Sequence, residues 1–199
     1  MECLKEKIEN LYMELSYVRL EWELMKEIDK KINKSNEKLI NKNEELILSL
    51  KDSLWYAIIM RLAKICEDDI QVNSMYKIFN CCSTNPIVVR KKIISEREIL
   101  EMKIKVISAI TDESGENINL IKGWRDKYLA HYSKLVSPKE TQEVFLITEK
   151  RLDYIISTLL EILKELINKF NIEIDDIYIQ TKAYALKNEF NIIYNLLKS

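Results

Sequence analysis

Glycine and proline are nearly missing from this chain, with two of each in 199 residues. Hairpin-rich strand folds need these residues at tight turns, and phosphate-cradling loops need glycine where backbone meets ligand, so neither class fits. Histidine occurs once, at position 131. The four cysteines, Cys3, Cys66, Cys81 and Cys82, have no zinc-ligand spacing, and the adjacent pair cannot close an ordinary disulfide on itself. A reducing compartment suits such a set. No run approaches the roughly eighteen uninterrupted apolar residues of a membrane span, and the opening Met1-Glu2-Cys3-Leu4-Lys5 lacks a basic region leading into an apolar one. The expectation is a cytoplasmic protein with no membrane partner. Lys and Arg number 31 against 32 Asp and Glu, a net charge of −1, which gives no global field for duplex DNA or an acidic bilayer. Local basic runs remain at Arg90-Lys91-Lys92 and between Lys122 and Lys134, although on helices such runs are usually solvated faces.

What is abundant is apolar residues at 47% and charged residues at 32%, arranged with helical period. Leu4, Ile8, Leu11, Leu15, Val18, Trp22, Met25 and Ile28 recur in steps of three and four and predict a long first helix. A polar break near residues 30–36 precedes a second helix, which Ser35 can cap and whose apolar face runs through Leu39, Ile40, Leu46, Ile47, Leu50 and Leu54. The pair reads as an antiparallel hairpin, with one continuous coiled coil as the alternative. The stretch from Leu54 to Cys66 is apolar nearly all round, as in a helix at the centre of a bundle. Arg61 lies inside it and needs either an ionic partner or a place on the wall of a polar cleft.

Further along, the pattern predicts a short helix over 73–79, a loop over 80–86 holding both adjacent cysteines, and a helix over roughly 88–110. A break at 111–115 then precedes a helix that restarts near residue 116 or 117 and reaches about Val136. The cleanest amphipathic stretch follows, residues 141–170, and a last helix near 181–198. The fold class is all-α: an up-down helical bundle with a long N-terminal hairpin. One domain over 1–199 accommodates it, with 1–35 as a possible extension and 181–199 as a C-terminal helix.

The residues with chemistry are Arg125-Asp126-Lys127-Tyr128-Leu129-Ala130-His131. Six positions on a regular helix cover about 9 Å and about 600° of rotation, so Arg125 and His131 do not share a face. A two-fold dimer that brings a second copy alongside, or a local distortion of the helix, would unite them. An imidazole titrates near neutrality and can move a proton to or from a ribose hydroxyl, while a guanidinium can hold a phosphate through its planar fork. Asp126 can orient Arg125 or an imidazole; Tyr128 and Tyr132 can pack against a base or serve the core. Spacing alone also allows plainer roles: His131 as a structural residue at the edge of an apolar stripe, and Asp126 with Lys122 as a surface pair.

Arg125-Asp126-Lys127-x-x-Ala130-His131 resembles the Arg-Asn/Asp-Lys-x-x-Ala-His form of HEPN proteins in the abortive-infection U2-like branch. The block Leu50-Lys51-Asp52-Ser53-Leu54, Ala57 and Met60-Arg61-Leu62, followed by Asn73-Ser74-Met75 and Ile78-Phe79, is similar to that branch as well. The likeness covers roughly residues 45–170. It implies a HEPN-type bundle that dimerises through the motif region and, in active members, a metal-independent endoribonuclease that needs no cofactor and leaves a 2′,3′-cyclic phosphate. Arg125 and His131 would be catalytic; Asp126, Tyr128, Tyr132 and Arg61 would be supporting. The implied setting is a toxin–antitoxin or phage-defence system, with RNA as substrate and a cognate antitoxin protein as partner. Inactive members act as nucleotide- or protein-binding scaffolds. The chain departs from relatives regulated by adenylylation: Tyr132 follows His131 directly and Ser133 stands where their tyrosine lies.

Overall fold

A computed structural model describes residues 1–33, 37–68, 72–111, 119–132 and 147–198. Among them are eight helices: α1 (Glu2–Asn33), α2 (Glu37–Ile65), α3 (Met75–Thr84), α4 (Pro86–Lys91), α5 (Glu96–Ile110), α6 (Leu120–Tyr132), α7 (Glu149–Phe170) and α8 (Asp176–Lys198). The described residues hold no strand, only an isolated antiparallel bridge between Thr111 and Asn119. By packing, the chain divides into two compact units, Met1–Leu15 with Ile59–Glu173 and Ser16–Ile58 with Ile174–Ser199.

The first unit is organised around α7, whose Leu152, Ile155, Leu159, Leu163, Leu166 and Phe170 are all buried. Their spacing of three and four places them on one stripe, and Asp153, Glu161 and Lys164 between them are exposed. Helix α5 packs along α7 and presents Ile99, Met102, Val106 and Ala109. The two are antiparallel, as their polar ties show. Lys169 near the end of α7 holds Glu98 at the start of α5 at 2.6 Å, and Arg151 at the start of α7 donates from Nη2 to the Ser108 carbonyl at 2.8 Å and to the Thr111 carbonyl. Carbonyls at a helix end lack partners within the helix, so Arg151 satisfies two of them for α5. Leu4, Ile8, Leu11 and Leu15 of α1, Ile59 and Leu62 of α2, Ile78 and Phe79 of α3 and Ile121 and Trp124 of α6 complete this core.

Several helix boundaries differ from the sequence reading, each for a local reason. Cys81 and Cys82 lie in α3 rather than in a loop, and Cys82 is buried. That helix runs on until Pro86 forces Asn85 into an extended conformation, ψ 117°. Asn85 then caps α4, its side chain accepting from the Ile87 and Val88 amides. The helix expected over 88–110 is two helices. Lys92 ends α4 in the left-handed region at φ 50°, and Ser95 with Glu98 opens α5 with a reciprocal capping box. Asp175 accepts from the Ile177 amide at 3.0 Å, which starts α8 earlier than position 181. The Ser35 cap and the helix limits expected at 116 or 117, 136 and 141 lie outside the described residues.

Within the first unit α1 and α2 run antiparallel, with Glu14 opposite Arg61. The second unit repeats that relation independently. Trp22 faces Trp55, ring centroids 6.4 Å apart, and Asp29 meets Lys51 at 2.5 Å. The hairpin expectation is therefore met and the single coiled coil is excluded. Helix α8 joins this second unit through Asn191, which accepts from Lys31 at 2.6 Å.

Candidate active site

The site belongs to the first unit and begins with α6. Leu120, Ile121 and Trp124 are buried and fix the rotation of that helix, and Asn119 opens it, its side-chain oxygen accepting from the Lys122 amide at 3.0 Å. Arg125 follows the buried indole of Trp124 and so emerges at the edge of the core, its side chain 23% exposed. Its Nε donates to Asp126 Oδ1 at 2.8 Å, and its Nη1 donates to Glu67 Oε2. Glu67 stands two residues beyond the end of α2 and is 26% exposed. The bond to Asp126 and the bond to Glu67 raise the guanidinium pKa still further, so Arg125 is a permanent cation.

Beside Arg125 is a cavity of about 270 Å³. Helix α6 contributes Ile121, Lys122 and Arg125, with Asn119 just before it; α2 contributes Ala63, then Cys66, Glu67 and Asp68 after its end; α3 contributes Tyr76. Burial, assisted by the charge of Glu67, pushes the Cys66 thiol up to about 12, so it is a protonated, inert group and not a nucleophile. Burial likewise raises the Tyr76 phenol, with smaller contributions from Cys66 and Asp68, and the hydroxyl stays neutral. Two carboxylates, Glu67 and Asp68, and two cations, Lys122 and Arg125, are among the residues that line the space. No three His, Cys, Asp or Glu side chains among the described residues come together as a metal-holding group.

Arg125 and Asp126 are hydrogen-bonded neighbours, and Arg125 lines the cavity. Arg61 is engaged elsewhere: its Nη1 meets Glu14 Oε2 at 2.8 Å, Lys64 approaches the other oxygen at 3.5 Å, and the cavity lining does not include it. Of the two roles open to it, the ion pair is the one observed. His131, Tyr128 and Tyr132 belong to α6, whose backbone is helical through Tyr132, and their side chains lie outside the described residues. Glu67 was not legible in advance. The acidic run Glu67-Asp68-Asp69 after an apolar helix looks like a solvated helix end, and its pairing with a residue 58 positions away has no local signal.

No helix of the described residues is long and apolar enough to cross a membrane. The family model described as HEPN_AbiU2 (AbiU2) matches residues 1–185. No curated protein and no solved structure matches the chain.

Proposed function

The chain belongs to the abortive-infection-related HEPN_AbiU2 family, and from that premise we propose that it is a metal-independent RNA endonuclease of a toxin–antitoxin or phage-defence system, acting through Arg125 and His131. The observation that carries the reading is the state of Arg125: a permanent cation at the wall of an open cavity, held by two carboxylates from two parts of the chain. A guanidinium fixed in this way is prepared to meet phosphate without reorganising at the moment of reaction.

In this reading His131 takes the proton of a ribose 2′-hydroxyl, and the freed oxygen attacks the adjacent phosphorus. Arg125 stabilises the charge of the five-coordinate phosphorane, and the His131 imidazolium returns its proton to the departing 5′ oxygen, leaving a 2′,3′-cyclic phosphate and a neutral imidazole. Helix α6 is unbroken from Leu120 to Tyr132, so positions 125 and 131 are separated by about 120° around the axis and about 9 Å along it. That regularity argues for a cleft shared across a homodimer, where one copy supplies Arg125 and the other His131.

Mixing inactive variants tests the arrangement. Arg125→Ala and His131→Ala are each inactive alone, and equal mixing after dissociation and reassociation restores about a quarter of wild-type cleavage, because half of the dimers carry one intact site of two. A mixture that stays inactive counts against the shared cleft. Of the second reading, a non-catalytic nucleotide- or protein-binding scaffold, one observation favours the protein-binding form. Glu67 and Asp126 together outweigh the single charge of Arg125, which weakens its hold on an anion.

A further inference from the structure

We propose that the cavity beside Arg125 seats a single RNA base, guanine, adjoining the phosphate that Arg125 contacts; the inference rests on the ribonuclease reading for its substrate and on the cavity for its specificity. The space, about 270 Å³, falls just below the roughly 300–1,000 Å³ range of drug-sized pockets and suits one planar heterocycle rather than a run of nucleotides. Its lining is divided as a base requires. Tyr76 supplies an aromatic wall, Ala63 and Ile121 supply aliphatic surface, and the Cys66 thiol, protonated, behaves as apolar surface too.

The polar groups then select among bases. Glu67 is committed to Arg125, which leaves Asp68 as the carboxylate to face a ligand. A carboxylate only accepts hydrogen bonds, and guanine offers two parallel donors, N1–H and the 2-amino group. The next position on the guanine edge, O6, is an acceptor. Asn119 provides the donor there, since its oxygen is occupied by the Lys122 amide and its NH2 is the end left to offer. Adenine sets its N1 acceptor against Asp68, and uracil sets acceptors on both sides of its one donor, so each opposes lone pair to lone pair. Cytosine matches only through its amino group. Lys122 and Arg125, three residues apart on one face of α6, are left at the rim for phosphate.

The test is calorimetric titration of the full chain with GMP, AMP, CMP and UMP. GMP is expected to bind about tenfold more tightly than AMP, within the range that one bidentate pair gives. Asp68→Asn removes the preference while circular dichroism stays unchanged, and Tyr76→Phe, which keeps the ring, preserves it. Equal affinities for the four nucleotides, no measurable binding of any, or a preference that survives Asp68→Asn would each overturn the proposal. The two readings fail separately: RNA cleavage with no guanine at the cut sites ends this inference and leaves the ribonuclease standing, whereas selective GMP binding without cleavage does the reverse.

Discussion

Replacing Glu67 by glutamine separates two roles that its carboxylate can play toward Arg125. The side chains are 26% and 23% exposed, so the pair lies between the limiting cases of surface and interior. Exposed pairs contribute about 0.2–1 kcal/mol, and removing one partner of a fully buried pair costs about 3–5 kcal/mol. Glu67→Gln keeps an oxygen for Nη1 and removes only the charge, so a loss of about 1 kcal/mol is expected, or about 2–4 °C in Tm for a chain of this size. Anion binding should move the other way. Two carboxylates now compete with phosphate for one guanidinium, and removing one favours the anion by an amount of order 1 kcal/mol, roughly three- to tenfold in affinity. The opposing effect is orientational, because a fully released arginine regains about 2 kcal/mol of rotamer freedom. Little of that is lost here, since Asp126 retains Nε at 2.8 Å and the amide oxygen retains Nη1. The electrostatic effect therefore wins. The assay pairs a melting curve with calorimetric titration of inorganic phosphate. If stability and phosphate affinity fall together, Glu67 is a positioning residue and the reasoning about competition is refuted.

The remaining expectations concern the scaffold. The Lys169 ammonium, with the Ser95 hydroxyl and amide, holds the Glu98 carboxyl down at about 2. A depressed folded pKa stabilises above the unfolded value of about 4.3, and that contribution is lost as pH falls from there toward about 2. Unfolding midpoints followed across this window should lose part of their acid dependence in Glu98→Gln; an unchanged profile would show that the contact is not formed in solution. Leu159→Ala removes a fully buried side chain from the stripe of α7 and should cost about 2–5 kcal/mol in urea unfolding, and a cost below about 1 kcal/mol would contradict the core described. Burial pushes Cys66 and Cys82 up to about 12. At pH 8 a thiol reagent should modify exposed Cys3 first and reach those two only on unfolding, and rapid labelling of all four would contradict the burial.

Much of the helical skeleton was legible because its signals are local. The three-and-four spacing of Leu152 through Phe170 specifies α7, and the spacing of Leu4 through Ile28 specifies α1. Even the missed division between α4 and α5 was written locally, in Asn85-Pro86 and in Ser95-x-x-Glu98, whose capping roles outweigh the continuous apolar pattern across 88–110. Cys81 and Cys82 were misplaced because a following Asn-Pro marks where a helix must stop, not how early it stops. The site was legible only in part. Arg125 and Asp126 are adjacent in sequence, whereas the Glu67 contact and the Tyr76 wall exist because α2, α3 and α6 converge. Arg61 shows the same limit from the other side, since its choice of Glu14 depends on the register of the hairpin.

The most direct test of the central claim is incubation of a mixed RNA pool with the purified protein and with its His131→Ala variant, both in EDTA and at equal helical content. The expected result is cleavage by the wild type with 2′,3′-cyclic phosphate ends and none by the variant. Cleavage that EDTA abolishes, or that persists undiminished in His131→Ala, would contradict it.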